Sequence, residues 1–469
     1  MSVIAKPKRD LDAARRPARV HYAWVIVGIL TAVQVIGGSI SMAAGVMIAP
    51  LKDPDGAFGW SIGTISAAIM LYYFVGAAFS PVSGWLGERY GPRRMMLTGS
   101  ILYGGSMFLL GFVGEVWQFF LIFGIVLSLT QSISMVPLMA SVSSWFRRRL
   151  GLGTGILWAA GGVGTAILAP LVGYLLGEIG WQATFWSFGA VGGGIMLLLT
   201  LFFRDRPADL GLKPYGTAET DPPEPVRSKA IEMLRAKVFN QHVRRTRAFW
   251  NLPTIHGLGC AGHGIVLIFS IPIANDRGVS LVAAAVILSI ISICSVGSRF
   301  ITPILAERFG GKPMMAAALF IQGITVLVLF WAQDVWMFYL FGVLFGIGFG
   351  GEMSAYLVVN RQYFGSGPIA TTYGFQMMGA LLGHGLAMLS GFAIAATGSY
   401  GPALALSMAF SFVGVIVIMT MESTSRVLIP HWEESLPPEA RSAEPDSHAR
   451  PSTSMSDLSI ARAHSTGEG

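Results

Sequence analysis

Long apolar segments separated by short polar loops dominate the pattern of this chain. About twelve of them approach or exceed the ~20 residues that a helix needs to cross the hydrocarbon core of a bilayer. None alternates strictly between apolar and polar residues, as the strands of a membrane barrel do, so each segment is predicted to be a helix. The predicted spans are approximately 22–48, 61–83, 95–114, 117–142, 150–176, 182–203, 248–273, 280–305, 314–332, 335–359, 369–396 and 401–421.

The composition agrees with an all-α membrane protein. Hydrophobic residues make up 53% of the chain and charged residues only 12%, against roughly 25% charged residues in soluble domains. The mean hydropathy is +0.61. A formal net charge of +7 also suits a nucleic-acid binder, but Lys and Arg lie almost entirely in loops and termini. This placement follows the positive-inside rule of membrane proteins, so we expect a lipid bilayer as partner and no nucleic acid.

The basic loops predict the orientation. One set of loops carries the cations of 89–94, 147–149 and 308–312, whereas the opposite set carries only Lys52 and Arg277. We therefore predict an even number of spans in the cell membrane with both termini in the cytoplasm. The N-terminal segment has no small-residue cleavage site after a short apolar core, which favours a cytosolic leader over a removable signal peptide.

Two repeated motifs indicate an internal duplication. The polar loop that contains Glu88 and Arg89 recurs with Glu307 and Arg308, 219 residues later, and Trp145-Phe146 recurs as Tyr363-Phe364, 218 residues later. We therefore predict two pseudo-symmetric six-helix bundles joined by a Pro-bearing, charged linker. The predicted units are a cytoplasmic segment 1–21, an N-terminal bundle 22–203, a linker 204–247, a C-terminal bundle 248–422 and a disordered cytoplasmic tail 423–469.

The loop between the second and third spans resembles the signature of the major facilitator superfamily, G-x-L-x-[DE]-R-x-G-x-[RK]-[RK]. It joins the correct spans on the basic side and recurs between spans eight and nine, where Pro303 and Pro313 replace two of the signature positions. The resemblance implies the facilitator fold, with alternating access by rocking of the two bundles around a central site. The matching residues are Gly84, Leu86, Glu88, Arg89, Gly91, Arg93 and Arg94.

A second stretch, 144–155, is similar to the opening of the fifth helix in monocarboxylate and oxalate/formate-type carriers. The resemblance implies secondary transport of a small organic anion of the monocarboxylate class, by proton coupling or exchange. It places Arg299 where an arginine of the eighth helix meets the substrate carboxylate. Two positions depart from those carriers: Ser295 replaces an acidic residue one turn before the arginine, and Gly379-Ala380 stands near the place of an eleventh-helix lysine.

Two charges lie well inside the predicted spans, the cation Arg299 and the anion Glu352. A charge at mid-membrane costs several kcal/mol and usually faces a cavity or a partner. Counted from the ends of their helices at 1.5 Å per residue, Arg299 and Glu352 lie at similar depths of ~12 Å and ~13 Å. We predict that they form a charge pair that an anionic substrate opens, after which Glu352 takes a proton. The alternative is a static pair that fixes helix packing.

Other polar residues inside the spans are further candidates. Histidine titrates near neutral pH and can relay protons, whereas a lone histidine in a helix is also an ordinary packing residue. The predicted proton-coupling residues are Glu352, His263 and His256. The predicted substrate-binding residues are Arg299, His384, Gln34, Gln131 and Tyr356, each with helix packing as the alternative role.

The duplicated loop has a separate predicted role. By resemblance, its charges pair with helix ends of the opposite half and latch the cytoplasmic side shut in the outward-open state. The alternative is that these cations serve topology alone. The predicted gate residues are Gly84, Glu88, Arg89, Gly91, Arg93, Glu307 and Arg308.

Several function classes are disfavoured. The chain lacks the Gly-x-x-x-x-Gly-Lys-[Ser/Thr] pattern that cradles phosphates, so no nucleotide, and no other cofactor, is expected. Cys260 and Cys294 both lie in predicted spans and are expected to be buried free thiols, without a disulfide or a metal site. The few intramembrane polar groups are too scattered for an enzyme. Two alternatives to an anion transporter remain: an exporter of amphipathic compounds, and a non-transporting sensor that signals through its tail.

Overall fold

The computed structural model describes residues 20–52, 59–218 and 225–442, and in these residues the chain is helical apart from one isolated β-bridge. Ten of the described helices are long and apolar enough to cross a membrane. Helices Tyr22–Lys52 and Pro92–Leu110 occupy the two remaining predicted positions. The spans are α1 Tyr22–Lys52, α2 Ile62–Tyr90, α3 Pro92–Leu110, α4 Val116–Trp145, α5 150–179, α6 181–202, α7 Arg247–Asp276, α8 Leu281–Phe309, α9 311–331, α10 335–364, α11 Ala370–Thr397 and α12 Gly401–Met419.

Several spans are interrupted. Gly180 adopts a positive φ of 75° and divides α5 from α6 within one continuous run of helix. Glycine tolerates this conformation because it lacks a Cβ atom. α4 contains a π-helical segment, Phe120–Leu127, and α10 consists of Val335–Ser354 followed by Tyr356–Phe364. The predicted number and order of spans are therefore confirmed, with breaks that hydropathy does not show.

The two halves meet along two helix pairs, α2 with α11 and α5 with α8. Both pairs use glycine at the closest approach. A Cβ atom on Gly84 would lie 2.3 Å from the carbonyl oxygen of Ala370, and one on Gly151 would lie 2.3 Å from that of Pro303. Small residues of this kind let helix backbones pack tightly in a membrane.

The linker and the loops 89–94, 146–149 and 308–312 lie at one end of the bundle, which we call the linker end. A linker helix, Lys229–Val243, begins there with Ser228, whose hydroxyl accepts the backbone N–H of Ile231 at 3.4 Å. Such N-terminal caps stabilise the first turn of a helix. The linker helix packs against α2 and α11, so it covers one of the two seams between the halves.

The first part of the C-terminal tail is ordered, and the expectation of a disordered tail from residue 423 is wrong for residues 423–442. Trp432 is buried and its ring lies 5.1 Å from that of Phe239 on the linker helix. Arg235 of the same helix forms a salt bridge of 2.5 Å with Glu433. The low apolar content of the tail hid this contact, because one tryptophan and Leu436 supply its buried surface. Residues 443–469, like 1–19, lie outside the described residues.

Candidate substrate site and linker-end latch

Glu88 ends α2 at the linker end and contacts the other half of the molecule. Its carboxylate accepts the backbone N–H of Thr371 at 2.8 Å and the Thr371 hydroxyl at 2.6 Å, at the first turn of α11. It also accepts the Asn240 amide of the linker helix at 3.0 Å. The first N–H groups of a helix lack partners within the helix and carry partial positive charge, so an anion stabilises this end.

Glu307, the duplicate of Glu88, makes the reciprocal contact. Its carboxylate accepts the backbone N–H groups of Leu150 at 3.2 Å and Gly151 at 2.8 Å, the first two residues of α5. Arg361 adds a cation at a helix C-terminus of the other half, because it donates to the carbonyl of Ser143 and, at 2.9 Å, to that of Phe146. These three side chains form what we call the latch.

The arginines of the predicted gate do not cross between the halves. The guanidinium of Arg89 lies over the rings of Trp85 and Tyr90, at 5.1 and 5.4 Å, and that of Arg308 lies over Phe309 at 5.2 Å. The expectation that all charges of the duplicated loop pair with the opposite half is therefore corrected. The carboxylates reach the other half, whereas these cations stack on aromatic rings of their own helices.

Arg93 and Gly91 contact the end of their own half. The backbone N–H of Arg93 donates to Asp205 at 2.6 Å, and its Nε donates to the carbonyl of Thr200 at 3.2 Å. Gly91 has a φ of 89°, and a Cβ atom there would lie 2.6 Å from the Asp205 carboxylate. Burial raises the pKa of Asp205, against the lowering effect of the hydrogen bond from Arg93. This acid caps α3, a role that the loop signature did not indicate.

Arg299 lies on the inner side of α8, where the two halves face each other. One Nη lies 3.8 Å from the position of a Cβ atom on Gly162 of α5. The guanidinium lies 4.9 Å from the Phe349 ring centre, and Nη2 donates to the thioether of Met353 at 3.5 Å. Its Nε is buried without a partner. Within residues 20–52, 59–218 and 225–442, Arg299 forms no salt bridge, taken as a nitrogen–oxygen distance of up to 4.0 Å.

Glu352 therefore does not form the predicted pair with Arg299, and that prediction is wrong for this conformation. Its side chain is fully buried. Oε1 accepts the Tyr356 hydroxyl at 2.8 Å, and Oε2 lies 3.8 Å from Nδ1 of His263. The carboxylate fits against α7 only because residue 259 is glycine, since a Cβ atom there would lie 2.5 Å from Oε1. Equal depth in two helices brought the charges to one level, but the carboxylate turns toward α7.

His263 and His384 meet between α7 and α11. Their Nε2 atoms lie 3.4 Å apart, and Nδ1 of His384 lies 2.9 Å from the carbonyl of Ala380. A carbonyl accepts only, so Nδ1 of His384 carries a proton. The His384 ring stacks on Tyr73 of the N-terminal half, with ring centres 5.4 Å apart. A polar chain thus runs from Tyr356 through Glu352 and the two histidines to the seam between the halves.

The remaining candidates lie apart from this chain. His256 is fully buried, stacks on the Tyr356 ring at 4.0 Å, and has no hydrogen-bond partner at either nitrogen among the described residues. Gln34 packs beside Gly161, and Oε1 of Gln131 lies 3.7 Å from the Cβ position of Gly37, so both belong to the interior of the N-terminal half. Tyr356 holds Glu352 and offers no free hydroxyl in this conformation.

Sequence reasoning missed several contacts of the site. Phe349 and Met353 flank Arg299, and Tyr73 supports His384 from the other half. Apolar and aromatic residues inside a span carry no signal that separates a site from a helix-packing surface. The linker contact at Asn240 was equally invisible, because it depends on where the linker helix lies. A groove of about 800 Å³ lined by Trp85, Lys237 and Phe375 lies beside this contact.

Comparisons with known proteins place the chain in a family. A family model described as Major Facilitator Superfamily matches residues 28–388 and, in a second match, 266–460. Monocarboxylate transporter 2 of Homo sapiens is 25% identical over 345 residues, which cover 71% of this chain and 71% of that protein. Monocarboxylate transporter 3 of Mus musculus is 27% identical over 334 residues, which cover 70% of this chain and 65% of that protein. Monocarboxylate transporter 13 of Bos taurus is 24% identical over 380 residues, which cover 80% and 82%.

A solved structure shares the fold. The chain matches the proton:xylose symporter XylE, bound to 6-bromo-6-deoxy-D-glucose, with a TM-score of 0.64 and 13% sequence identity. The match covers 86% of this chain and 96% of that one. The family match, the twelve spans and the duplicated latch agree. The chain belongs to the major facilitator superfamily and is a multi-pass membrane transporter of small molecules, not an enzyme.

Proposed function

We propose that this protein is a secondary transporter of a small organic anion of the monocarboxylate class, coupled to protons. The observation that carries the proposal is Arg299, a guanidinium at mid-membrane with no salt bridge among the described residues. An unpaired cation at this depth is costly unless it serves a ligand. Its planar fork of N–H donors matches a carboxylate bidentately, which a neutral cargo does not require.

The relatives support an anionic substrate. Proteins named monocarboxylate transporters match over about 70–80% of this chain. Arg299 lies close to Gly162 of the opposite half, so a carboxylate bound there lies at the seam that opens and closes during transport. Phe349 and Met353 provide an apolar wall for the remainder of a small acid.

Glu352 and the two histidines are the proposed proton path. Oε2 of Glu352 has no hydrogen-bond donor among the described residues, and it faces His263. A carboxylate without a donor on one oxygen, in a fully buried setting, is well placed to take up a proton. The pair of His263 and His384 continues the path to Tyr73, where the halves meet. His256 lies behind Tyr356 and serves as a packing partner or a reserve proton acceptor.

The latch is the proposed gate of alternating access. Glu88, Glu307 and Arg361 hold the linker end together, so this conformation is closed on that side. With the basic loops inside, the linker end and both termini face the cytoplasm, and the protein lies in the cell membrane. Opening of this end then requires loss of all three contacts at once.

A binding experiment tests the substrate class. Purified protein is heated with lactate or with lactamide, its neutral amide, for the wild type, Arg299→Ala and Ser80→Ala. A ligand of the native state raises the melting temperature by mass action. We expect lactate to stabilise the wild type and Ser80→Ala but not Arg299→Ala, and lactamide to stabilise none. Stabilisation by neutral or cationic amphipathic compounds alone, in all three proteins, overturns the proposal in favour of an exporter.

A further inference from the structure

Cys260, His263 and His384 converge beside the proposed proton path. Their potential ligand atoms, one from each side chain, all lie within 4.8 Å of one another. Cys260 and His263 are three residues apart, so they share one face of α7, and His384 comes from α11. The spacing of the cysteines alone predicts no metal site, because the third member lies 121 residues away from His263.

Both histidines have the supporting contacts that metal ligands use. Nδ1 of His384 contacts the carbonyl of Ala380 at 2.9 Å, and Nδ1 of His263 faces the Glu352 carboxylate at 3.8 Å. Ligating histidines usually donate their second N–H to a carbonyl or a carboxylate, which directs the other nitrogen to the metal. Here both Nε2 atoms point at each other.

The proton inventory favours a cation at this point. With Nδ1 of His384 protonated, a neutral ring has a bare Nε2, so His263 must donate from its own Nε2. That leaves Nδ1 of His263 bare and opposite Oε2 of Glu352, and both atoms are buried without a hydrogen-bond partner among the described residues. A cation between the two Nε2 atoms lets His263 carry its proton on Nδ1 and donate it toward Glu352. It removes both defects.

We propose that Cys260, His263 and His384 form a binding site for a divalent transition metal of the zinc class. Thiolate and imidazole are the ligands that Zn²⁺ prefers, at about 2.3 Å for sulfur and 2.0–2.1 Å for nitrogen. Two nitrogens at that distance from a tetrahedral ion lie about 3.4 Å apart, which equals the observed separation of 3.4 Å. On binding, the thiol of Cys260 loses its proton to the solvent and its sulfur bonds the metal. The fourth position stays open.

The site has an entry path and a consequence for transport. His384 is only partly buried and lies beside Tyr73 at the seam between the halves, so a metal enters when the seam opens. A bound ion occupies both Nε2 atoms and thereby blocks proton transfer between the histidines. This consequence rests on the proposed function, whereas metal binding itself does not.

Metal binding is tested on purified protein, after removal of any affinity tag, with Co²⁺ as a spectroscopic probe and Zn²⁺ in thermal melts. We expect thiolate-to-cobalt absorption, and a higher melting temperature with Zn²⁺, in the wild type and in the control Cys294→Ser. Loss of a supporting contact alone weakens metal affinity about 10–100-fold, so Cys260→Ser and His384→Gln should each lose at least about 100-fold. Equal metal affinity in all four proteins, or an absorption band lost only in Cys294→Ser, overturns the site.

Flux separates this site from the proposed function. Uptake of lactate into proteoliposomes is measured with and without Zn²⁺, each variant relative to its own metal-free rate. Zn²⁺ should inhibit the wild type and Cys294→Ser and spare Cys260→Ser. If Co²⁺ binds as expected but no variant transports lactate, the metal site stands and the proposed substrate fails. If lactate is transported but no protein binds the metal, the metal site fails alone. A Cys260→Ser protein that does not fold leaves His384→Gln to decide, by the same absorption band.

Discussion

The two halves of this transporter are alike at the linker end and unlike at the membrane centre. Glu88 and Glu307, 219 residues apart, each receive N–H groups from the first turn of a helix in the other half. At the centre, Arg299, Glu352, His256, His263 and His384 all lie in the C-terminal half. The same displacements place Ser80 opposite Arg299 and Ser134 opposite Glu352 in the repeat.

This difference separates what the duplication preserves from what was added to one copy. The latch has to join two halves, so each half supplies one carboxylate and one helix N-terminus. The chemistry needs only one site at the seam, and charge in a membrane is costly. One half therefore serves as a mostly uncharged scaffold, with buried serines where the other carries an arginine and an acid.

The largest effect is expected at Arg299. Arg299→Ala removes the proposed partner of the substrate carboxylate, and truncating one member of a buried charge pair costs about 3 kcal/mol or more, over 100-fold in binding. Ser80→Ala, at the equivalent position of the N-terminal half, removes only a hydroxyl bonded within its own helix. We expect carboxylate uptake in proteoliposomes to fall below detection in the first variant and to change less than twofold in the second. Equal losses in both variants contradict the asymmetry.

Glu352→Gln breaks the asymmetry at the proposed proton carrier. The amide keeps the hydrogen bond from Tyr356 but cannot bind and release a proton. Uphill accumulation of lactate under a pH gradient should fall at least about tenfold, since removing a positioned acid–base group costs about 10²–10⁴-fold in enzymes. Exchange of internal for external lactate should persist, and Ser134→Ala should retain both activities. Full accumulation by Glu352→Gln assigns the coupling to another group.

Gly259→Ala tests the packing that places Glu352. The added Cβ atom meets the carboxylate at 2.5 Å, so the acid has to turn away from α7. Overpacking of this kind costs about 1–3 kcal/mol, and we expect gradient-driven uptake to fall about tenfold. Gly297→Ala on α8 is the matched control, because no atom lies within 4 Å of its Cβ position. Unchanged uptake in Gly259→Ala shows that the position of the carboxylate is not critical.

The symmetry of the latch is tested with Glu88→Gln and Glu307→Gln. Each variant loses a charge-assisted bond worth about 1–2 kcal/mol more than its neutral replacement. Hydrogen–deuterium exchange should rise about fivefold at the first turn of α11 in Glu88→Gln and at the first turn of α5 in Glu307→Gln. Glu88→Gln should also loosen the linker helix, through Asn240. If the changes do not follow this crossed pattern, the carboxylates are not reciprocal caps.

The smallest effect is expected at the tail, which only the C-terminal half carries. Glu433 is partly buried, but hydrogen bonds from Arg235 and Ser442 hold its pKa below the ordinary value. A carboxylate with a lowered folded-state pKa adds stability above its unfolded pKa and loses it as pH falls through the folded pKa. Arg235→Ala should therefore lower stability by about 1 kcal/mol at neutral pH. In thermal melts this difference from the wild type should vanish as the pH falls below the ordinary range of Glu.

Much of this architecture was predictable because its signals are local. Span length, the basic loops and the repeated loop that contains Glu88 and Glu307 each depend on a short stretch of chain. Arg299 was found for the same reason, as a charge in an apolar segment. Its absent pairing with Glu352 was not predictable, because side-chain direction depends on Gly259 in another helix. The tail contact of Trp432 and the meeting of His263 with His384 depend on tertiary packing and left no signal in composition.

The most direct test of the central claim measures lactate and proton movement together in proteoliposomes with an internal pH dye. The account predicts that wild-type protein carries lactate and acidifies the lumen in step with it, that lactamide does neither, and that Arg299→Ala abolishes both movements while Ser80→Ala preserves them. Lactate uptake that survives Arg299→Ala, or that proceeds without acidification, contradicts the assignment of anion binding and proton coupling to the C-terminal half.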